Sequence, residues 1–150
     1  MNVGEICRRE VVVMDRKESA AVAVKLMREY HVGNVVVTQS HDGNQQPVGI
    51  ITDRDIVIEV MAKDIAPDRL LAEDIMNGDL LTLNAQESEH QAIQRMRARG
   101  VRRAPVVNNQ GYLEGIISID DLLEVMAENL AAIAALFSKE QAQERNSRAT

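Results

Sequence analysis

Thr52 and Asp55 stand three residues apart, and so do Ser118 and Asp121. Each pair closes a nearly identical string: Gly49-Ile-Ile-Thr-Asp-Arg-Asp-Ile56 in the first half of the chain and Gly115-Ile-Ile-Ser-Ile-Asp-Asp-Leu122 in the second. A hydroxyl can donate to a phosphate oxygen. A carboxylate can accept from both hydroxyls of a ribose, in charge-assisted bonds stronger than neutral ones. The apolar Gly-Ile-Ile runs predict a strand before each pair and a helix after it, at a junction where backbone N–H groups lack partners. Such a junction is a seat for a phosphorylated, ribose-bearing ligand. The same residues also suit a purely local task, in which Thr52 or Asp53 caps the following helix and Asp55 complements its positive end.

Two copies of the junction imply two copies of the scaffold that positions it. At one constant offset Ile6 aligns with Ile75, Ala23 with Ala92, Met27 with Met96, Arg28 with Arg97 and Val32 with Val101. The offset shortens only at the polar turn 39–47, which is longer than its counterpart 108–111. A length change confined to a turn is what a structural repeat tolerates. In the first copy the patterning predicts a short strand over 11–13, a helix over 19–31, strands over 34–38 and 47–51, and a helix over 53–63. The second copy reads as a strand over 80–83, a helix over 87–99, strands over 103–108 and 112–118, and a helix from residue 119. Val35-Val-Val37 and Gly49-Ile-Ile51 show no polar alternation, which predicts strands buried on both faces. Gly43 and Gly111 fall at the hairpin turns, where a positive φ costs glycine little.

Ala66-Pro-Asp68 marks the boundary, because proline cannot continue the preceding helix. The expected organisation is therefore 1–66, 67–128, and a helical extension with a polar tail over 129–150. Half-chains this small bury little apolar surface alone, so the two are expected to pack on each other about a pseudo-twofold axis. That arrangement leaves two clefts of similar shape.

Composition excludes several classes. With 45% apolar and 27% charged residues, the chain has globular rather than disordered character. No apolar run reaches the roughly 18 residues that span a bilayer, and the N-terminus lacks the order of a secretory signal. The expected location is cytoplasmic, with no membrane partner. The single cysteine, Cys7, excludes an intramolecular disulfide and reads as a small buried apolar residue, with a reactive thiol or an intersubunit bridge as its other uses. A formal net charge of −6 and only one Phe and two Tyr argue against nucleic acid as a main partner. His31, His41 and His90 have no neighbours at metal-ligand or triad spacing. Asp53 with Asp55, and Asp120 with Asp121, could suggest a metal, yet acids are expected at helix starts. No catalytic residue and no metal ligand is assigned.

The last predicted helix runs to about residue 141, and Leu122, Val125, Met126, Leu130, Ile133, Leu136 and Phe137 form a one-sided stripe along it. It outruns its counterpart in the first copy, and an apolar stripe beyond its own core needs another cover. A second copy of the chain, giving a homodimer, is the expected cover. A client protein and the same module are the alternatives. The polar end, 143–150, is expected to fray.

Order, spacing and the doubled Gly-h-h-Thr/Ser-x-x-Asp ending make residues 3–128 similar to a tandem pair of cystathionine-β-synthase (CBS) domains. The resemblance implies an α+β fold of two βαββα units packed about a pseudo-twofold axis, here with an extended C-terminal helix. Modules of this family often dimerise into a flat disc. The implied role is regulatory: an adenine nucleotide (AMP, ADP or ATP) or related adenosyl compound binds between the repeats and signals to a separate client protein. Asp55 and Asp121 would take the ribose, and Thr52 and Ser118 the phosphate. The resemblance also implies that Arg102 and Arg103, just before Ala104-Pro-Val-Val107, reach phosphates held by the other repeat. Guanidinium groups bind phosphate bidentately; a solvated basic pair is the alternative. Gly33 and Asn34 stand at the equivalent positions of the first copy. The Thr52/Asp55 cleft is thus expected to be the stronger phosphate site, and the Ser118/Asp121 cleft to prefer a less charged ligand or stay empty. Arg54 could face the cleft or solvent.

Adenine is expected against backbone groups and apolar side chains of Val12 and Val13 with Ile51 of the adjoining strand, or of Leu81 in the second copy. With so few aromatic residues, affinity should be about micromolar, near −8 kcal/mol. The competing reading is a ligand-independent interaction protein acting through the terminal helix. Nucleotide hydrolysis is a third.

Overall fold

The computed structural model describes residues 1–148. It contains two three-stranded sheets of the same topology. In the first, β1 (Val13–Asp15) runs parallel to β2 (Asn34–His41), which pairs antiparallel with β3 (Asn44–Thr52). In the second, β4 (Leu83–Asn84), β5 (Arg103–Val107) and β6 (Leu113–Ser118) repeat that order. The helices are α1 (Val3–Ile6), α2 (Ala20–Tyr30), α3 (Asp53–Ile56), α4 (Ala72–Ile75), α5 (Glu89–Arg99) and α6 (Ile119–Arg148). α3 continues as a π-helical turn, Val57–Met61, and a 3₁₀ turn at Pro67–Arg69 leads into α4. The α+β tandem architecture read from the sequence is the architecture observed.

Local chemistry accounts for these elements. Val35, Val36 and Val37 are fully buried, as a run without alternation requires of a strand covered on both faces. α5 begins with a capping box in which the Ser88 hydroxyl accepts from Gln91 N–H while the Gln91 side chain accepts from Ser88 N–H. Two orphan donors are thereby satisfied. It ends at Gly100, in the left-handed region at φ 65°.

Several elements differ from the sequence-based expectation. The strand expected over 11–13 is Val13–Asp15, and the one expected over 80–83 is Leu83–Asn84. The cause is that Arg8 is still paired with Ile116 in the other sheet, so the residues after it cross the molecule before the ladder begins. The polar turn expected over 39–47 is mostly strand. His41 pairs with Asn44, and only Asp42 and Gly43 turn, both at positive φ, which is the two-residue hairpin of type I′. The polar residues 143–148, expected to fray, continue α6; Ala149 and Thr150 lie outside the described residues.

The packing units cross the sequence repeats. α4 lies against the first sheet, where Ala72 and Ile75 share a cluster with Met14, Val35, Ile51 and Val60. α1 lies against the second, where Val3 and Cys7 pack with Leu83, Val106 and Ile117. The residues just after each short helix add to the far strand edge: Arg8 exchanges two backbone hydrogen bonds with Ile116, both 2.9 Å, and Asn77 does so with Ile50. This contact explains the glycine of each Gly-Ile-Ile string. A Cβ on Gly115 would stand 2.6 Å from the Arg8 carbonyl oxygen and 2.7 Å from Cys7 Sγ, and one on Gly49 would stand 2.5 Å from Met76 Sδ. Burial pushes the Cys7 thiol pKa up from its ordinary value, so at neutral pH Cys7 is a protonated, packed apolar group.

Candidate functional site

The crossing builds two clefts, each from both halves. One, of about 250 Å³, sets Thr52 and Asp55 opposite Leu80, Leu81, Arg102 and Arg103. The other, of about 290 Å³, sets Ser118 and Asp121 opposite Val11, Val12 and Asn34, with Arg103 at its edge. The pre-strand segment facing each strand–helix junction therefore comes from the other repeat. Of the residues expected against adenine, Val12 thus lies with Ser118 and Asp121, and Leu81 with Thr52 and Asp55.

In the first cleft, Thr52 caps α3. Its hydroxyl accepts from Asp55 N–H at 3.2 Å, and its own N–H donates to Asp55 Oδ2 at 2.8 Å. The capping alternative is thus realised, but it does not exhaust the pair. Asp55 Oδ1 makes no hydrogen bond among the described residues, and the Thr52 hydroxyl proton remains free to be donated. Neither Arg102 nor Arg103 has a side-chain ion-pair partner among the described residues. Asp79, which also lines this cleft, is paired with Arg99 at 2.8 Å. The uncompensated charges are one carboxylate and two guanidinium groups.

The second cleft is wired differently. Asp121 is 6% exposed and both its oxygens are occupied. Oδ2 accepts from Ser118 N–H at 2.9 Å and from the Ser118 hydroxyl at 3.0 Å, and Oδ1 accepts from Arg8 Nε at 2.8 Å. Ser118, expected to donate to a phosphate, already spends its proton on Asp121. The Asp121 hydrogen bond and charge raise the Arg8 pKa further, so the guanidinium stays charged. Glu10 and Asp120 line the same cleft without ion-pair partners among the described residues. Its uncompensated charges are two carboxylates against Arg103, an arrangement that repels anions.

Two further expectations are corrected. Ile51 lines neither cleft: it is fully buried in the core of the first sheet, because alternate strand residues face opposite ways, and Ile50 faces the Thr52/Asp55 cleft instead. Val13 lines neither cleft but borders an adjoining cavity of about 720 Å³ with Leu26 and Tyr30, which shares Val11, Val12 and Val32 with the Ser118/Asp121 cleft. Arg54 lines neither cleft and is exposed. Sequence reasoning missed Arg8 and Asn77. The repeat offset pairs them as equivalents, but only the crossing reveals that they face the junctions. Among the described residues no group of three or more His, Cys, Asp or Glu side chains is placed to hold a metal ion.

Comparison with known proteins agrees with this geometry. The CBS domain family matches residues 3–62 and again 72–128. An uncharacterized protein of Methanopyrus kandleri is 36% identical over 141 residues, spanning 94% of this chain and 70% of that one. A CBS domain protein from Pyrobaculum aerophilum, solved in complex with AMP, superposes with a TM-score of 0.71 at 26% identity, covering 85% of this chain and 99% of that one. The hexameric CBS-CP12 protein of bloom-forming cyanobacteria superposes with a TM-score of 0.69 at 30% identity, over 82% of this chain and 66% of that one. With two matched repeats, two crossed clefts and the doubled junction, the chain belongs to the CBS domain family as a tandem pair, a regulatory module.

Proposed function

We propose that the chain is a nucleotide-responsive regulatory module that takes an adenine nucleotide, or a related adenosyl compound, in the Thr52/Asp55 cleft. One observation carries this reading: a carboxylate oxygen and a hydroxyl proton are both unspent opposite two unpaired guanidinium groups. Asp55 Oδ1 accepts from the ribose, Thr52 donates to phosphate, and Arg102 and Arg103 bind phosphate from the far wall. The base lies on Leu81 and Ile50 and is read by backbone groups. The AMP carried by the Pyrobaculum relative supports the choice of adenine. Binding ties the two halves together and signals to a client protein by favouring one module shape through its differential affinity.

The test is a thermal-shift panel of AMP, ADP, ATP, NAD and S-adenosylmethionine. A ligand at roughly a hundred times its Kd adds about 2.7 kcal/mol, which is several degrees in Tm for a chain of this size. No rise with any of the five would overturn the reading and leave the ligand-independent interaction protein.

We also propose that α6 pairs with a second copy of the chain. Leu123, Met126, Leu130, Ile133 and Phe137 alternate at spacings of three and four and are 53–69% exposed. Ala127, Asn129, Ala134 and Leu136 flank them, so the face is uncharged. Acidic Asp120, Glu124 and Glu128 begin the helix, whereas its end mixes Lys139, Arg145 and Arg148 with Glu140 and Glu144, and Arg148 pairs with Glu144 at 2.8 Å. Two copies packed about a twofold axis would cover each other's uncharged stripe. The hexameric state of the cyanobacterial relative shows that a CBS pair can be built into a larger assembly. Sedimentation should find a dimer for wild type and a monomer for Leu130→Asp. A monomeric wild type would assign the face to a client, and a dimeric Leu130→Asp would place the dimer elsewhere.

A further inference from the structure

The two clefts share a fold, and at one pair of equivalent positions, Arg8 and Asn77, they differ in what stands beside the carboxylate. Beside Asp55 stands Asn77, whose side-chain oxygen accepts from Asp79 N–H at 3.1 Å and leaves the carboxylate alone. Beside Asp121 stands Arg8, whose Nε is 2.8 Å from Oδ1. Arg8 belongs to the strap that crosses from α1 to the edge of β6, and its backbone is pinned there by the two hydrogen bonds to Ile116. The strap therefore holds an arginine over the carboxylate that would otherwise face a ligand.

We propose that Arg8 is a built-in lock on the second cleft, standing where the ribose of a nucleoside would bind. A ribose hydroxyl can reach Asp121 only by displacing Arg8, because Oδ2 is already filled twice by Ser118. Asp121 is 6% exposed, and displacing Arg8 removes the cation that neutralises this buried carboxylate while two neutral hydroxyls supply hydrogen bonds but no charge, so the exchange is unfavourable. In the first cleft no such exchange is needed. The chain thus binds one nucleotide, at Asp55, although its fold supplies two clefts. This inference rests on the proposed nucleotide function for its ligand class, and the lock itself rests on the Arg8–Asp121 geometry.

The experiment is isothermal titration of AMP and of adenosine into wild type and Arg8→Asn, which installs the residue found at the equivalent position of the first cleft. Arg8 is largely exposed, 68% at its side chain, and its backbone pairing with Ile116 does not depend on the side chain. Arg8→Gln is run beside it, with melting curves to confirm folding. The lock predicts one site in wild type and two in both variants, the added site vanishing when Asp121→Ala is combined with Arg8→Asn. Two sites in wild type, or one site in wild type and still one in the variants, overturns the lock and leaves the nucleotide reading intact. No site in wild type but one in the variants keeps the lock and overturns the first-cleft assignment. No binding anywhere overturns both. Loss of wild-type binding on Arg8→Asn would make Arg8 a ligand-binding residue, which also contradicts the lock.

Discussion

Replacing Ile51 by alanine should destabilise the protein by about 3 kcal/mol, within the range of roughly 2–5 kcal/mol seen when a buried isoleucine is truncated. Ile51 is fully buried among Met14, Val35, Ala72 and Ile75. The void would lie between the first sheet and α4, where two sequence repeats meet, so neither side can collapse without disturbing the other. At roughly 2–4 °C per kcal/mol for a chain of this size, the melting temperature should fall by about 6–12 °C. Ile50→Ala should cost less, since Ile50 is 9% exposed at the cleft wall, and should instead weaken nucleotide binding. Circular dichroism melts of the two variants decide the matter. Equal losses of stability, or a larger loss for Ile50→Ala, would contradict this placement of the core.

Much of the fold was legible because it is written locally. Val35-Val-Val37 reports a doubly covered strand by composition alone, and Gly43 reports the hairpin turn, where it stands at φ 79°. The duplicated Thr52/Asp55 and Ser118/Asp121 junctions identified both clefts. What stayed hidden depends on long-range contact. The Arg8–Asp121 bond joins residues 113 positions apart, and no periodicity anticipates that α1 packs on the second sheet or α4 on the first. The same crossing moved the strands expected over 11–13 and 80–83, since residues still travelling between sheets cannot pair in the ladder. Ile51 was misassigned by one position because an unalternating apolar run does not say which residue faces the cleft. His31 ends α2 at φ 53° where the second copy has Gly100; a left-handed histidine carries no signal that composition could have flagged.

The inequality of the clefts is the functional point. The sequence anticipated it from Arg102 and Arg103 against Gly33 and Asn34. In the structure Arg103 borders both clefts, so the difference comes rather from which carboxylates are already paired. Asp55 keeps one oxygen open and Asp121 keeps none. The proposed ligand, bearing ribose and phosphate, would therefore find its complement at the first cleft.

Asp55→Asn tests this most directly. The amide keeps an acceptor for Thr52 N–H, so the helix start survives, while the charge that would receive the ribose hydroxyls is gone. Hydrogen bonds to a charged group are worth roughly 1.5–3 kcal/mol, and about 1.4 kcal/mol is tenfold in affinity. Titrating AMP into wild type and Asp55→Asn should give one site on wild type and a Kd raised roughly 10- to 100-fold in the variant, with the melting temperature of the free protein little changed. Unchanged affinity in Asp55→Asn would contradict the account.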